Sequence, residues 1–168
     1  MTETILVLGN VIFPVGSDRE ITQSLEPIDN GLIRRTVNGD AVDLTRDENR
    51  KFQSTISTTD LEGPGFDHLF KGQILTGVEC IALLRQTVDP ASTTVTLIRD
   101  EVTGSVRGLE VDCDFIDPIS VVAGLATFAD PTIMVEFRPV LNFMIEGKSR
   151  SRAEMAATES WSITLVEV

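Results

Sequence analysis

The chain has one histidine, two cysteines, one tryptophan and no tyrosine among its 168 residues. Each shortage closes a door. His68, in "GPGFDHLFKG", leaves acid–base catalysis with a single poised imidazole, and a histidine in a Gly/Pro-rich loop more often caps or decorates it. Cys80 and Cys113 sit in strand-like segments without a CxxC pair or a Cys/His spacing. No disulfide framework or zinc site is therefore expected, and both read as small buried residues. With no Tyr and a lone Trp161 in an apolar alternation, the exposed rings that sugar-binding modules lean on are missing. No G-x-S-x-G elbow, phosphate-cradling glycine loop or complete EF-hand occurs, since "DLTRDENRK" lacks the central Gly and the closing Glu. No apolar run approaches the ~20 residues of a membrane span. "MTETILVLGNVIF" lacks the basic start and small-residue cleavage site of a signal peptide. The expectation is a soluble, intracellularly made protein that is not an enzyme, with no cofactor, no catalytic residue and no metal.

Positive charge is also scarce. Fourteen bases face 26 acids, a net −12. Such a surface repels phosphate backbones and anionic membranes, so sequence-specific nucleic-acid binding and membrane attachment are not expected. It equally suits a non-stick wall past which DNA slides.

What the chain does have is period two, nearly everywhere. Apolar β-branched "ILVLGNVIF" is stopped by Pro14 and Gly16. "GLIRRTVNGDAVDL" carries Asn38-Gly39, the usual pair of a tight primed turn, between two extended runs. "RKFQSTIST" sets Phe52, Ser54, Ile56 and Thr58 against Gln53, Thr55 and Ser57. "ILTGVECIALLRQTV", "STTVTLI", "LEVDCDFID" and "ISVVAGLATF" continue the series. In "VEFRPVLNFMIE", Val135, Phe137, Leu141, Phe143 and Ile145 share one face and Glu136, Arg138, Val140, Asn142, Met144 and Glu146 the other. Pro139 makes that strand an edge or bends it. "ESWSITLVEV" brings Trp161, Ile163 and Leu165 together. Helix signals are confined to a single turn in "GFDHLFKG" and two in "SRAEMAATE". About ten strands with frequent turn signals predict an all-β fold: one domain over 1–168, an antiparallel sandwich or barrel with one or two short helical turns.

Two charged rows stand out. In "LEVDCDFID", Glu110, Asp112 and Asp114 alternate with apolar residues, which on a strand makes a row of carboxylates roughly 6.5–7 Å apart. A straight strand spreads its acids too far to close a calcium site, even with Asp117 added. A solvated face or a partner surface remains. In "GKSRSR", Lys148, Arg150 and Arg152 repeat every second residue, as an extended loop or tip would present them, with Arg34 and Arg35 a second basic spot. Rows of opposite sign on different edges pair between copies, head to tail, in a ring. The alternative is a mobile, solvated loop.

"RRTVNGDAVDL", "RKFQSTIST", "VEFRPVLNFMI" and "ESWSITLVEV" together resemble small virion proteins of tailed bacteriophages, those encoded among tail, neck and decoration genes. The pattern is an aromatic-Arg-Pro strand, a polar hairpin and a closing Trp-Ser-x-x-Leu-x-Glu-Val strand. Here it is carried by Phe137, Arg138 and Pro139, then Trp161, Ser162, Leu165, Glu167 and Val168. The resemblance covers about a third of the chain and none of Ile74 to Phe128. It implies a β-rich subunit in the virion, bound to copies of itself in a symmetric ring and to neighbouring virion proteins. A tail tube, neck or baseplate adaptor is implied first. A capsid decoration protein, or a calcium- or carbohydrate-binding β-sandwich, is the alternative. On the tube reading Glu110, Asp112 and Asp114 face a lumen or a neighbour's Lys148, Arg150 and Arg152, and the Val135–Glu146 strand with its "GKSRSR" tip augments the next ring.

Overall fold

The structure, a computed structural model, describes residues 6–14, 20–28, 33–43, 50–155 and 157–168. Fourteen strands follow one another in this part of the chain, with no helix: β1 (Thr22–Pro27), β2 (Ile33–Arg35), β3 (Ala41–Asp43), β4 (Phe52–Asp60), β5 (Ile74–Glu79), β6 (Leu84–Thr87), β7 (Thr94–Thr96), β8 (Arg107–Glu110), β9 (Phe115–Ile116), β10 (Ser120–Val122), β11 (Leu125–Thr127), β12 (Thr132–Phe137), β13 (Val140–Ala153) and β14 (Thr158–Glu167). The chain is all-β, with curled antiparallel sheets of the sandwich or barrel kind. It divides into two compact units, Met1–Val11 with Leu75–Asn142, and Ile12–Ile74 with Phe143–Val168.

The first unit holds a sheet of order β6-β12-β8-β9 and a smaller one, β10-β11-β7. Its core includes Val95, Val106, Ala126, Phe128, Val135, Phe137 and Leu141, all buried. The apolar start "ILVLGNVIF" is not a strand where it is described. Gly9 takes φ +55°, the Val11 amide bonds the Leu8 carbonyl at 3.0 Å, and Val7 alone makes a bridge, to Glu79. Leu6, Leu8 and Val11 are nonetheless buried, so the apolar run is satisfied by packing rather than by a ladder. "ISVVAGLATF" folds back as a β10–β11 hairpin on Ala123 and Gly124, whose φ of +50° and +73° make the primed turn. The Pro139 strand bends, as one of the two expectations had it: β12 ends at Phe137 and β13 starts at Val140. Arg138 closes the bend, its Nε donating to the Cys80 carbonyl at 2.7 Å and its amide to Ser105 Oγ at 3.1 Å. Glu136, on the face opposite Val135 and Phe137, is also buried and takes a 3.3 Å ion pair from Arg85.

The second unit is organised on the sheet β1-β4-β14-β13. Alternation there is strict. Ser54, Ile56, Thr58 and Asp60 of β4 and Glu159, Trp161, Ile163 and Leu165 of β14 are buried, with Phe143 and Ile145 of β13. Trp161 packs edge-on to Phe66, ring centroids 5.7 Å apart, and tilted on Phe13 at 6.1 Å. Ser54 is buried without penalty because its hydroxyl donates to the Ser24 carbonyl and accepts from Gln23 Nε2, both at 2.9 Å. "SRAEMAATE" makes no helix. Ala153 pairs with Thr158, so the segment is the tip of the long β13–β14 hairpin, its sheet partners outweighing a weak helical preference. The β2–β3 hairpin forms around Asn38-Gly39 with a different turn from the expected primed one. The Gly39 amide bonds the Thr36 carbonyl at 2.9 Å and Gly39 alone takes positive φ, +90°, the three-residue loop with a glycine bulge.

Candidate interaction surfaces

The acidic row does not lie on one strand. β8 ends at Glu110 and the chain turns at once, the Cys113 amide bonding the Glu110 carbonyl at 3.1 Å and the Glu110 amide the Asp114 carbonyl at 3.0 Å. Cys113 holds the turn at φ +67° and is exposed, against the expectation that it is buried; Cys80 is buried. The turn lets the carboxylates splay instead of stacking along one line, which relieves their repulsion. Glu110 is half-buried beside the strand, while Asp112 and Asp114 are exposed at the hairpin tip with Val111 and Phe115.

The basic row is not a loop or tip either. Lys148, Arg150 and Arg152 lie inside β13, opposite Ile163, Trp161 and Glu159 of β14. A register shift between Ile145 and Gly147 puts them there. Unbroken alternation from Phe143 and Ile145 would send the cations to the other face; the extra residue, Glu146, reverses the parity. Two of the three cations are then used within the chain. Lys148 Nζ donates to the Phe66 and Asp67 carbonyls at 2.8 and 3.0 Å and lies over the Phe66 and Phe70 rings, 5.5 and 5.8 Å from their centroids. Arg150 bonds the buried Glu159 carboxylate through Nε and Asp67 through Nη1, the latter at 2.6 Å. The hydrogen bond to Glu159, ahead of the Coulombic pull of Glu159 and Asp67, pushes the guanidinium above its already high ordinary value. These contacts fasten the loop carrying Asp67 and His68 to the hairpin. Gly63 has no room for a side chain, because a Cβ there would meet the Glu159 carboxylate and approach Arg150 Nε to 3.3 Å. Arg152 is exposed and takes part in no ion pair or hydrogen bond among the described residues. Arg35 caps its own turn, donating to the Gly39 carbonyl at 2.9 Å, and Arg34 is exposed.

The parity reversal builds a surface that the sequence reading did not identify. On the outer face of the sheet, three rows run across the strands: Thr59–Ser160–Ser151, Thr22–Ser57–Ser162–Ser149 and Ser24–Thr55–Thr164, the last ending at Gly147. Ten hydroxyls and no charge occupy this area. Cross-strand pairs Thr59–Ser160 and Ser149–Ser162 are hydrogen-bonded, each at 2.9 Å. A shallow depression of about 470 Å³ opens over the first two rows, and Glu20 is among the residues that line it. The signal was available in "QSTIST", "SRS" and "ESWSIT", whose alternate positions are small hydroxyls. Only the bulge aligns "SRS" with the others.

Among the described residues no three of His, Cys, Asp and Glu are grouped to hold a metal ion, and no helix is long and apolar enough to cross a membrane. No protein-family profile, curated protein or solved structure matches the chain.

Proposed function

We propose that the chain is a non-enzymatic structural subunit of a tailed-bacteriophage virion, tail-associated as tube, neck or baseplate adaptor, whose copies join head to tail through sheet edges of opposite charge. One observation carries the assembly step. The β1-β4-β14-β13 sheet has β1 outermost on one side, bearing Glu26 and preceded by Glu20. On the other side, β13 beyond Ile145 has no described strand beside it, and from Gly147 to Ala153 it carries Lys148 and Arg150, both engaged within the chain, and Arg152, which has no partner among the described residues. Like edges repel, so β1 does not add to β1 nor β13 to β13, whereas β1 against β13 is attractive. Such a contact is heterologous and propagates into a ring or a filament. The phage assignment itself rests on the resemblance of the Phe137-Arg138-Pro139 and Trp161-to-Val168 segments. The acid excess supports a wall that DNA passes without sticking, with the Glu110, Asp112 and Asp114 hairpin facing the lumen or a neighbour. Light scattering behind size exclusion, at low and high salt, with negative-stain images of each peak, tests the reading. Rings or tubes that loosen as salt rises are expected; an 18.4 kDa monomer throughout would contradict self-assembly.

A further inference from the structure

We infer that, within the self-assembly proposed above, the β2–β3 hairpin is an arm that docks on the acidic hairpins β8–β9 and β10–β11 of a second copy. The hairpin is anomalous in its own chain. Its strands pair only with each other among the described residues, and every side chain from Ile33 to Val42 is exposed. A two-stranded hairpin alone in water is marginally stable, so it ordinarily lies on a core or joins a third strand. This one does neither, yet it carries the large apolar side chains Ile33, Val37 and Val42. Arg34 and Arg35 follow one another along β2, while the acids Asp40 and Asp43 lie on the β3 side, so the β2 edge is basic. The turn is well made. The Thr36 amide bonds the Asp40 carbonyl, the Gly39 amide the Thr36 carbonyl and Arg35 Nη1 the Gly39 carbonyl, each at 2.9 Å. A shape fixed in advance lowers the ordering cost of docking.

The acceptor is unusual in the complementary way. Between Arg107 and Arg138 the chain has six acids and no base. Within that stretch Val111, Phe115, Ile119, Val122 and Leu125 are exposed on two successive hairpins, Val122 and Leu125 as cross-strand partners. Asp112, Asp114 and Asp117 stand exposed among them. Large apolar side chains gathered at a surface among polar ones mark a protein contact. The acids repel DNA and anionic lipid as occupants and favour a cationic one. The arm of a second copy supplies both properties, Ile33 and Val37 for the apolar side chains and the β2 arginines for the aspartates. Arm and acceptor are different segments, so the contact is heterologous, and each copy both gives and receives an arm.

The test uses two full-length variants. One disables the arm with Ile33→Ser, Arg34→Glu and Val37→Ser, leaving Arg35 to hold the turn. The other disables the acceptor with Asp112→Lys, Asp114→Lys and Phe115→Ser. All six side chains are exposed, so both variants should fold, which circular dichroism checks against the wild type. Mass by light scattering is read for the wild type, each variant alone and their equimolar mixture, at one low salt concentration. The wild type is expected to be heavier than either variant alone. The mixture should also be heavier than either, because the intact arm of one variant seats on the intact acceptor of the other. A variant as heavy as the wild type, or a mixture at the average of its components, would overturn the arm and leave the pairing of the β1 and β13 edges standing. A wild type that is monomeric throughout would overturn both.

Discussion

Gly108 lies where a methyl group has no room: a Cβ there would stand 2.6 Å from Thr132 Cγ2 and 2.7 Å from the Phe128 ring. Both neighbours are buried and neither can swing into solvent. Gly108→Ala should therefore cost about 1–3 kcal/mol, seen as a lower urea midpoint with unchanged slope. Glu159 shows the opposite dependence, a side chain needed because of its partner. Removing it in Glu159→Ala leaves Arg150 with the exposed Asp67 alone. A fully buried pair broken on one side costs roughly 3–5 kcal/mol. Water reaches more than a third of the Arg150 side chain, so about 1–2 kcal/mol is expected here. Asp67→Ala should cost under ~0.5 kcal/mol by the same denaturation assay. Because the Arg150 pKa is raised, its share of the pairing is complete below the ordinary arginine value and is lost only at more alkaline pH. Titrating arginine thus brings no loss of stability between neutral and moderately alkaline solution. Cys113 gives a chemical check on the turn. A thiol reagent should modify one cysteine rapidly in the native protein, with Cys80 following only on unfolding.

At the scale of elements, the bulge at Glu146 decides which face of β13 is which. Glu146 is exposed and holds no described contact, so Glu146→Ala should leave stability within about 0.5 kcal/mol. Deleting the residue is a different perturbation. It makes Ile145 and Gly147 consecutive partners of Leu165 and Thr164, so the ladder becomes regular while Ser149 and Ser151 keep the hydroxyl face and Lys148, Arg150 and Arg152 the other. A retained cooperative thermal transition is expected for the deletion, checked beside the substitution by circular dichroism; its loss would show that the bulge does more than set the register. The same bulge marks the limit of what alternation reveals. The faces of β4, β14 and the first half of β13 were legible because nothing interrupts their period of two. The cations were assigned to a tip, and the hydroxyl face went unseen, because one added residue carries no compositional sign. Turns were the other blind spot. "LEVDCDFID" and "ISVVAGLATF" read as single strands because Cys113 and Ala123 are unusual at positive φ, while the Asn38-Gly39 signal was true to the hairpin and not to its turn type. Replacing Ala123 by Asn, which tolerates that conformation better, should raise the melting temperature by a few degrees.

For the whole molecule, the charge pattern outweighs the charge total. The net −12 alone would keep copies apart. In the proposed assembly, edges of opposite charge would overcome it locally, over distances shorter than the ~8 Å screening length at physiological salt. The contacts of Arg150 exclude it as a clean probe of assembly, since reversing it also breaks the pair with Glu159. Arg152, with no described partner, and Glu26, exposed on the opposite edge, are the residues to exchange. The decisive measurement is the mass of the assembled species by light scattering for the wild type, Arg152→Glu, Glu26→Lys and the double exchange, at one low salt concentration. Assembly by the wild type, its loss in each single variant and its recovery in the double variant are predicted. Equal masses for all four, or a double variant no better than the singles, would contradict head-to-tail pairing of the two edges.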